Sequence, residues 1–220
     1  MSAVELDVAT LLEITARTLA VCGAALAVAL LLGLPIGIAL GRRRFPARVA
    51  LVSVINSGMG APPVVVGLVV ALLLWRNGPL GALELMYTPG AMVLAQIVIA
   101  LPLVVGITLA AVGALDEDWE LQVRTLGVPP RWRLWLLLRE IRLGLLAAVI
   151  AAMGGILSEV GAVQMVGQNL AGETRMLTTA IMMHVGMGEF EAAIGLAAVL
   201  IGLMLVLAGV LTAVQQSGRA

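Results

Sequence analysis

From Thr18 to Leu40 the chain carries no charged residue. A helix rising about 1.5 Å per residue crosses ~30 Å of hydrocarbon in this length, whereas a surface helix of a soluble domain needs a polar face over the same interval. The intervals 49–75, 91–115, 143–166 and 192–214 repeat the pattern, with Glu159 their one charge. Hydrophobic residues make up 61 % of the chain and charged residues 12 %, against roughly 45–50 % and about 25 % in soluble domains. Mean hydropathy is +1.10. The expectation is an all-α integral membrane protein in which residues 1–220 form a single transmembrane domain of five transmembrane helices, 18–40, 49–75, 91–115, 143–166 and 192–214. The spans leave no room for a separate soluble module.

The connections orient these spans. Gly41-Arg42-Arg43-Arg44-Phe45-Pro46-Ala47-Arg48 is a short basic loop, and short loops rich in Arg stay cytoplasmic. Five spans then put the N-terminus outside and the C-terminus in the cytoplasm. Arg42, Arg43, Arg44, Arg48, Arg124, Arg131, Arg133, Arg139, Arg142 and Arg219 fall inside; Arg17, Arg76 and Arg175 fall outside. Trp75 and Tyr87 flank the outer turn around Asn77-Gly78-Pro79, where interfacial aromatics belong.

Proline and chain length predict the irregular places. Pro62-Pro63 breaks the second span, because two adjacent prolines remove helix donors that a regular helix needs. Pro35 kinks the first span and Pro102 interrupts the third. Gly154-Gly155 in the fourth permits close helix packing. Met1 to Arg17, with Glu5, Asp7 and Glu13, suits a short amphipathic helix on the membrane surface and lacks the basic start of a cleaved signal. Met176 to Val185 is too short to span, which predicts a re-entrant or surface helix before the last span.

The long charged interval is 116–142. Acidic residues (Asp116, Glu117, Asp118, Glu120) precede basic ones, with Leu126-Gly127-Val128-Pro129-Pro130 between. Trp119 to Leu126 reads as a short helix with Trp119, Val123 and Leu126 along one face. Gly127 suits a left-handed terminating position, and Pro129 prevents continuation. A rigid helix held between two spans can transmit a push.

At Arg124-Thr125-Leu126-Gly127 the interval resembles the cytoplasmic coupling loop of ABC importer permeases, the "EAA" loop. Gly127 and the residues before it match; the Glu-Ala-Ala positions read Leu121-Gln122-Val123, with Glu120 one residue early, and the closing Leu-Pro reads Arg139-Glu140. Ala61-Pro62-Pro63-Val64-Val65-Val66-Gly67, Tyr87-Thr88-Pro89, the run Ser158 to Asn169 and the run Thr174 to Ile181 are most similar to tungstate importer permeases, whose architecture molybdate and sulfate permeases share. The resemblance implies a homodimeric permease coupled to two cytosolic ATP-binding subunits and fed by an extracytoplasmic substrate-binding protein. It assigns coupling to Trp119, Glu120, Val123, Arg124, Leu126, Gly127 and Pro129.

For an anion, neutral donors are the better path lining, since a dianion can be held by hydroxyl, amide and helix N-terminal groups. Candidates are Asn56, Ser57, Gln96, Ser158, Thr178 and Thr179. Glu159 would repel such cargo and reads as a structural acid rather than part of a gate. His184 lacks the spaced second ligand that a metal site requires, so no metal site is expected, nor a cofactor, a catalytic residue or a nucleic-acid partner. Without GxxxxGK the chain does not hydrolyse ATP by the usual route. Two other classes fit a multi-span chain: a membrane scaffold, and a secondary transporter driven by an ion gradient.

Overall fold

The computed structural model describes residues 7–116 and 118–217; Glu5, Glu117 and Arg219, used above, lie outside them. Ten α-helices build the described chain, without strands among those residues. They are α1 (Val8–Arg42), α2 (Arg48–Met59), α3 (Pro63–Leu74), α4 (Pro89–Gly113), α5 (Trp119–Thr125), α6 (Pro130–Glu140), α7 (Arg142–Leu157), α8 (Gly161–Gly167), α9 (Leu177–Met187) and α10 (Phe190–Ser217). By length and composition α1, α4 and α10 each suffice to cross a membrane, and the bent pairs α2–α3 and α6–α7 raise the number to five.

The centre of the bundle is α1 against α4. Gly33, Gly37 and Gly41 recur every fourth residue and lie on one stripe of α1. A Cβ on Gly33 would stand 2.7 Å from Val104 Cγ1, on Gly37 2.7 Å from Thr108 Cβ, and on Gly41 2.6 Å from Val112 Cγ1. Each missing side chain admits a branched one from α4. In lipid, where hydrophobicity gives no drive for helix association, this fit supplies the van der Waals attraction that holds two spans together.

Several expectations change. Residues from Val8 onward do not form a separate surface helix; they extend α1 continuously into the first span. Arg17 permits this, because its guanidinium donates to Gly172 O at 2.7 Å and to Arg175 O at 3.2 Å and pairs with Glu13. Pro102 lies inside α4 without interrupting it and packs where a Cβ on Gly58 would come within 2.9 Å. The second span does break at the prolines, with a bend of 106° between α2 and α3; Pro63 opens α3 at a first-turn position where its missing N–H costs nothing.

The fourth span is not one helix. It ends at Leu157, and Ser158-Glu159-Val160 intervene before α8. The chain before it is also helical: α6 fills 130–140 and turns by 62° into α7. The short helix α9 buries Leu177 and Ala180 against Leu196 of α10 and Ile14 of α1 and leaves Met182, Val185 and Met187 exposed, an apolar helix too short to span that packs by one face on the bundle.

Candidate coupling surface and the paired helix breaks

Helix α5 is displayed at one end of the bundle between α4 and α6. Trp119 packs against a buried cluster of Val112, Leu137 and Ile141, and Val123 is 8 % exposed. Leu126 does not share that face. It is the residue after the last turn and is 78 % exposed, beside Leu121 at 63 %. Helical spacing puts Asp118, Leu121, Gln122 and Thr125 on the outer side, where with Leu126 they line a shallow depression of about 470 Å³. The buried side anchors α5; the outer side is exposed.

The helix ends in a Schellman motif. Val128 N donates to Val123 O at 3.3 Å and Gly127 N to Arg124 O at 3.0 Å, the paired bonds that satisfy the last carbonyls. Gly127 has φ +68°, and a Cβ there would meet nothing within 4 Å, so backbone conformation alone selects glycine. Pro129 then caps α6 with its carbonyl, which accepts from Trp132 N and Arg133 N. Arg133 Nε donates to Val128 O at 2.6 Å.

Glu120 faces neither solvent alone nor the outer side. Its Oε1 lies 3.0 Å from Arg42 Nη2 and pairs also with Arg124 one turn on. The Arg124 hydrogen bond, with Arg42 behind it, holds its carboxyl below the usual carboxylate range. Thus the acid that the motif comparison places one residue early connects α5 to the end of α1. Arg48 Nε donates to Leu40 O at 2.8 Å, tying the basic loop to the same helix end.

The breaks between α2 and α3 and between α7 and α8 are neighbours. A Cβ on Gly161 would stand 2.6 Å from Val64 Cγ2, and one on Gly67 2.5 Å from Ala162 Cα; small residues let the backbones of α3 and α8 touch. Glu159 is the hub of the second break. It is 7 % exposed; its Oε1 accepts from Ala162 N at 2.8 Å, and its carbonyl accepts from Thr178 Oγ1 at 3.0 Å. The carboxylate therefore caps α8, and Thr178 fastens α9 to the same break.

The donor set separates into two groups. Asn56, Ser57 and Ser158 are exposed, on α2 and at the end of α7. Ser158 Oγ is spent on Gly154 O at 2.9 Å. Gln96, Thr178 and Thr179 are buried inside the chain. Gln96 Nε2 donates to Ile156 O at 3.3 Å while its Oε1 has no partner among the described residues. Thr179 Oγ1 accepts from Met176 N and reaches Asn169 Oδ1 at 2.9 Å. His184 Nδ1 lies 2.7 Å from Glu189 Oε2, closing the α9–α10 turn, and no group of three metal-ligating side chains occurs among the described residues.

The family model for "binding-protein-dependent transport system inner membrane component" matches residues 33–219. The chain belongs to this family. As a member it is a multi-pass permease subunit, not an enzyme; ATP hydrolysis resides in a separate subunit, and ATP-binding and substrate-binding partners follow from membership. The permease is 43 % identical to a probable anion ABC transporter permease protein of Haloferax volcanii, over 91 % of this chain and 89 % of that one. It is 37 % identical to the tungstate uptake system permease protein TupB of Peptoclostridium acidaminophilum, over 89 % and 86 %. The molybdenum transport system permease protein ModB of Escherichia coli K12 is 31 % identical over 70 % and 72 %.

The glycine stripe of α1 and the α6 helix were missed from sequence. Spacing by fours was the available signal for the first, and Pro130 followed by Trp132 and Trp135 for the second.

Proposed function

We propose that the permease is the membrane-spanning subunit of an ATP-driven importer of tungstate or a closely related oxyanion. It works as a homodimer with two ATP-binding subunits on its cytoplasmic side and a substrate-binding protein outside. The observation that carries this reading is α5: an anchored helix with exposed Leu121 and Leu126, tied through Glu120 to the end of the first span. A movement imposed on that helix reaches α1 through an ion pair and α4 through Trp119. The basic end of the bundle faces the cytoplasm, with the N-terminus outside and the C-terminus inside.

Substrate class rests on the likeness to anion and tungstate permeases over nearly the whole chain. Molybdate or sulfate is the second reading, favoured by relatives that match less of the chain. Asn56 and Ser57 are the path donors this reading retains. They flank the α2–α3 break, and broken membrane helices occur where backbone lines a cavity or is shielded by protein. Gln96, Thr178 and Thr179 hold helices together instead.

The test is ATP turnover by the reconstituted complex with and without binding protein and tungstate. Stimulation by both supports the proposal; turnover indifferent to either contradicts it.

A further inference from the structure

A cleft of about 970 Å³ opens beside α5, and its walls have two chemistries. Arg42, Arg43 and Arg124 border it together with one carboxylate, Glu120. Three guanidinium groups against one acid leave a net positive rim, and Arg43 makes no ion pair among the described residues. Below that rim the cleft is lined by Leu34, Ile38, Leu134 and Leu138. Leu134 is 48 % exposed.

The level of the cleft is marked by its neighbours. Trp132 and Trp135 on α6 are half exposed and packed edge to face with centroids 5.9 Å apart. Arg139 lies 5.3 Å above the Trp135 ring. Tryptophan and arginine are the side chains that anchor helices at the boundary between acyl chains and headgroups, and α6, which carries them, turns by 62° into α7. A cationic rim above an apolar wall at this depth matches a lipid of one kind. An inorganic anion would use the rim and leave the wall unexplained; a neutral lipid would use the wall and leave the rim unexplained.

We infer that the cleft between α1, α5 and α6 is a binding site for an acidic phospholipid. Its phosphodiester lies at Arg43 and Arg42, and one acyl chain lies along Ile38 and Leu134. The site touches α5 and the end of α1, so an occupied cleft fills the space beneath the Glu120–Arg42 pair. This reading does not depend on the transported substrate.

The test uses the full chain, purified in detergent with its ATP-binding partner. Native mass spectrometry reads retention of phosphatidylglycerol against phosphatidylcholine, with inorganic phosphate as a third probe. Phosphatidylglycerol is retained over phosphatidylcholine, and Arg43→Gln lowers that retention about fivefold, the effect of one arginine at a membrane surface. Leu134→Gln, at a half-exposed position that folding tolerates, lowers it as well. Equal retention of the two lipids, or retention unchanged in both variants, overturns the inference. Displacement of the lipid by millimolar inorganic phosphate also overturns it, by identifying a simple anion site.

Discussion

Glu120 Oε1 and Arg42 Nη2 stand 3.0 Å apart, joining a helix in the loop between two spans to the last residue of α1. The pair spans a long sequence separation at a place where the connecting cleft is otherwise open. It is partly exposed, so its worth to stability is small, ~0–1 kcal/mol; under the proposed coupling its consequence is transmission. Glu120→Gln is expected to leave thermal unfolding of the detergent-solubilised protein nearly unchanged. Stimulation of ATP turnover by binding protein should fall by about two- to thirtyfold, the range of ~0.5–2 kcal/mol typical of coupling elements.

The same pair sets a pH dependence. Arg124 and Arg42 lower the Glu120 carboxyl from its ordinary 4.5, so its contribution is complete above that value and is lost as pH falls through the lowered folded value. Coupling should be flat through neutral pH on this account. A wild-type loss of stimulation in acid that Glu120→Gln does not show identifies this group in parallel pH series.

Gly127 occupies left-handed backbone with open space around it. Gly127→Ala should destabilise the end of α5 by ~1–2 kcal/mol, and Gly127→Asn by less, because asparagine tolerates this region. The readout is affinity for the ATP-binding subunit, which should decline in the order Gly, Asn, Ala.

Glu159 Oε1 accepts from Ala162 N at the start of α8. Glu159→Ala removes the acceptor for Ala162 N and should cost ~0.5–2 kcal/mol, seen as a lower midpoint of thermal unfolding. Glu159→Gln keeps an oxygen acceptor and should recover most of the loss. Equal losses in the two variants would show that charge, not capping, is what the site requires.

Gly67 faces the backbone of Ala162, with 2.5 Å to its Cα for an added Cβ, and backbone cannot rotate aside. Gly67→Ala should cost ~1–3 kcal/mol by overpacking. Gly154, with nothing within 4 Å of its Cβ position, is the matched control: Gly154→Ala should be neutral or slightly stabilising.

Much of this fold was legible in the sequence because lipid imposes a simple rule. Uncharged runs of spanning length had to be helices, and Pro62-Pro63 had to break one. The end of α5 was legible too, since glycine before two prolines leaves few conformations. What escaped was set by contacts between distant residues. The continuity of α1 depends on Arg17 meeting carbonyls at 172 and 175, and the break after Leu157 depends on Glu159 finding Ala162 N. The outward turn of Leu126 escaped because helical periodicity ends at Thr125, one residue before it. Among the path candidates, hydroxyls that line a cavity and hydroxyls that fasten helices are the same residues in a sequence; the hydrogen bonds of Thr178 to Glu159 O and of Thr179 to Met176 and Asn169 come from residues distant or irregular in the chain.

The most direct test of the account is tungstate accumulation in proteoliposomes that hold the permease with its ATP-binding subunit, with binding protein on one face only. Accumulation is predicted to require ATP on the face that displays α5 and binding protein on the opposite face, and to fail in Leu126→Glu while the complex remains folded. Accumulation driven by an ion gradient without ATP, or unaffected by Leu126→Glu, would contradict it.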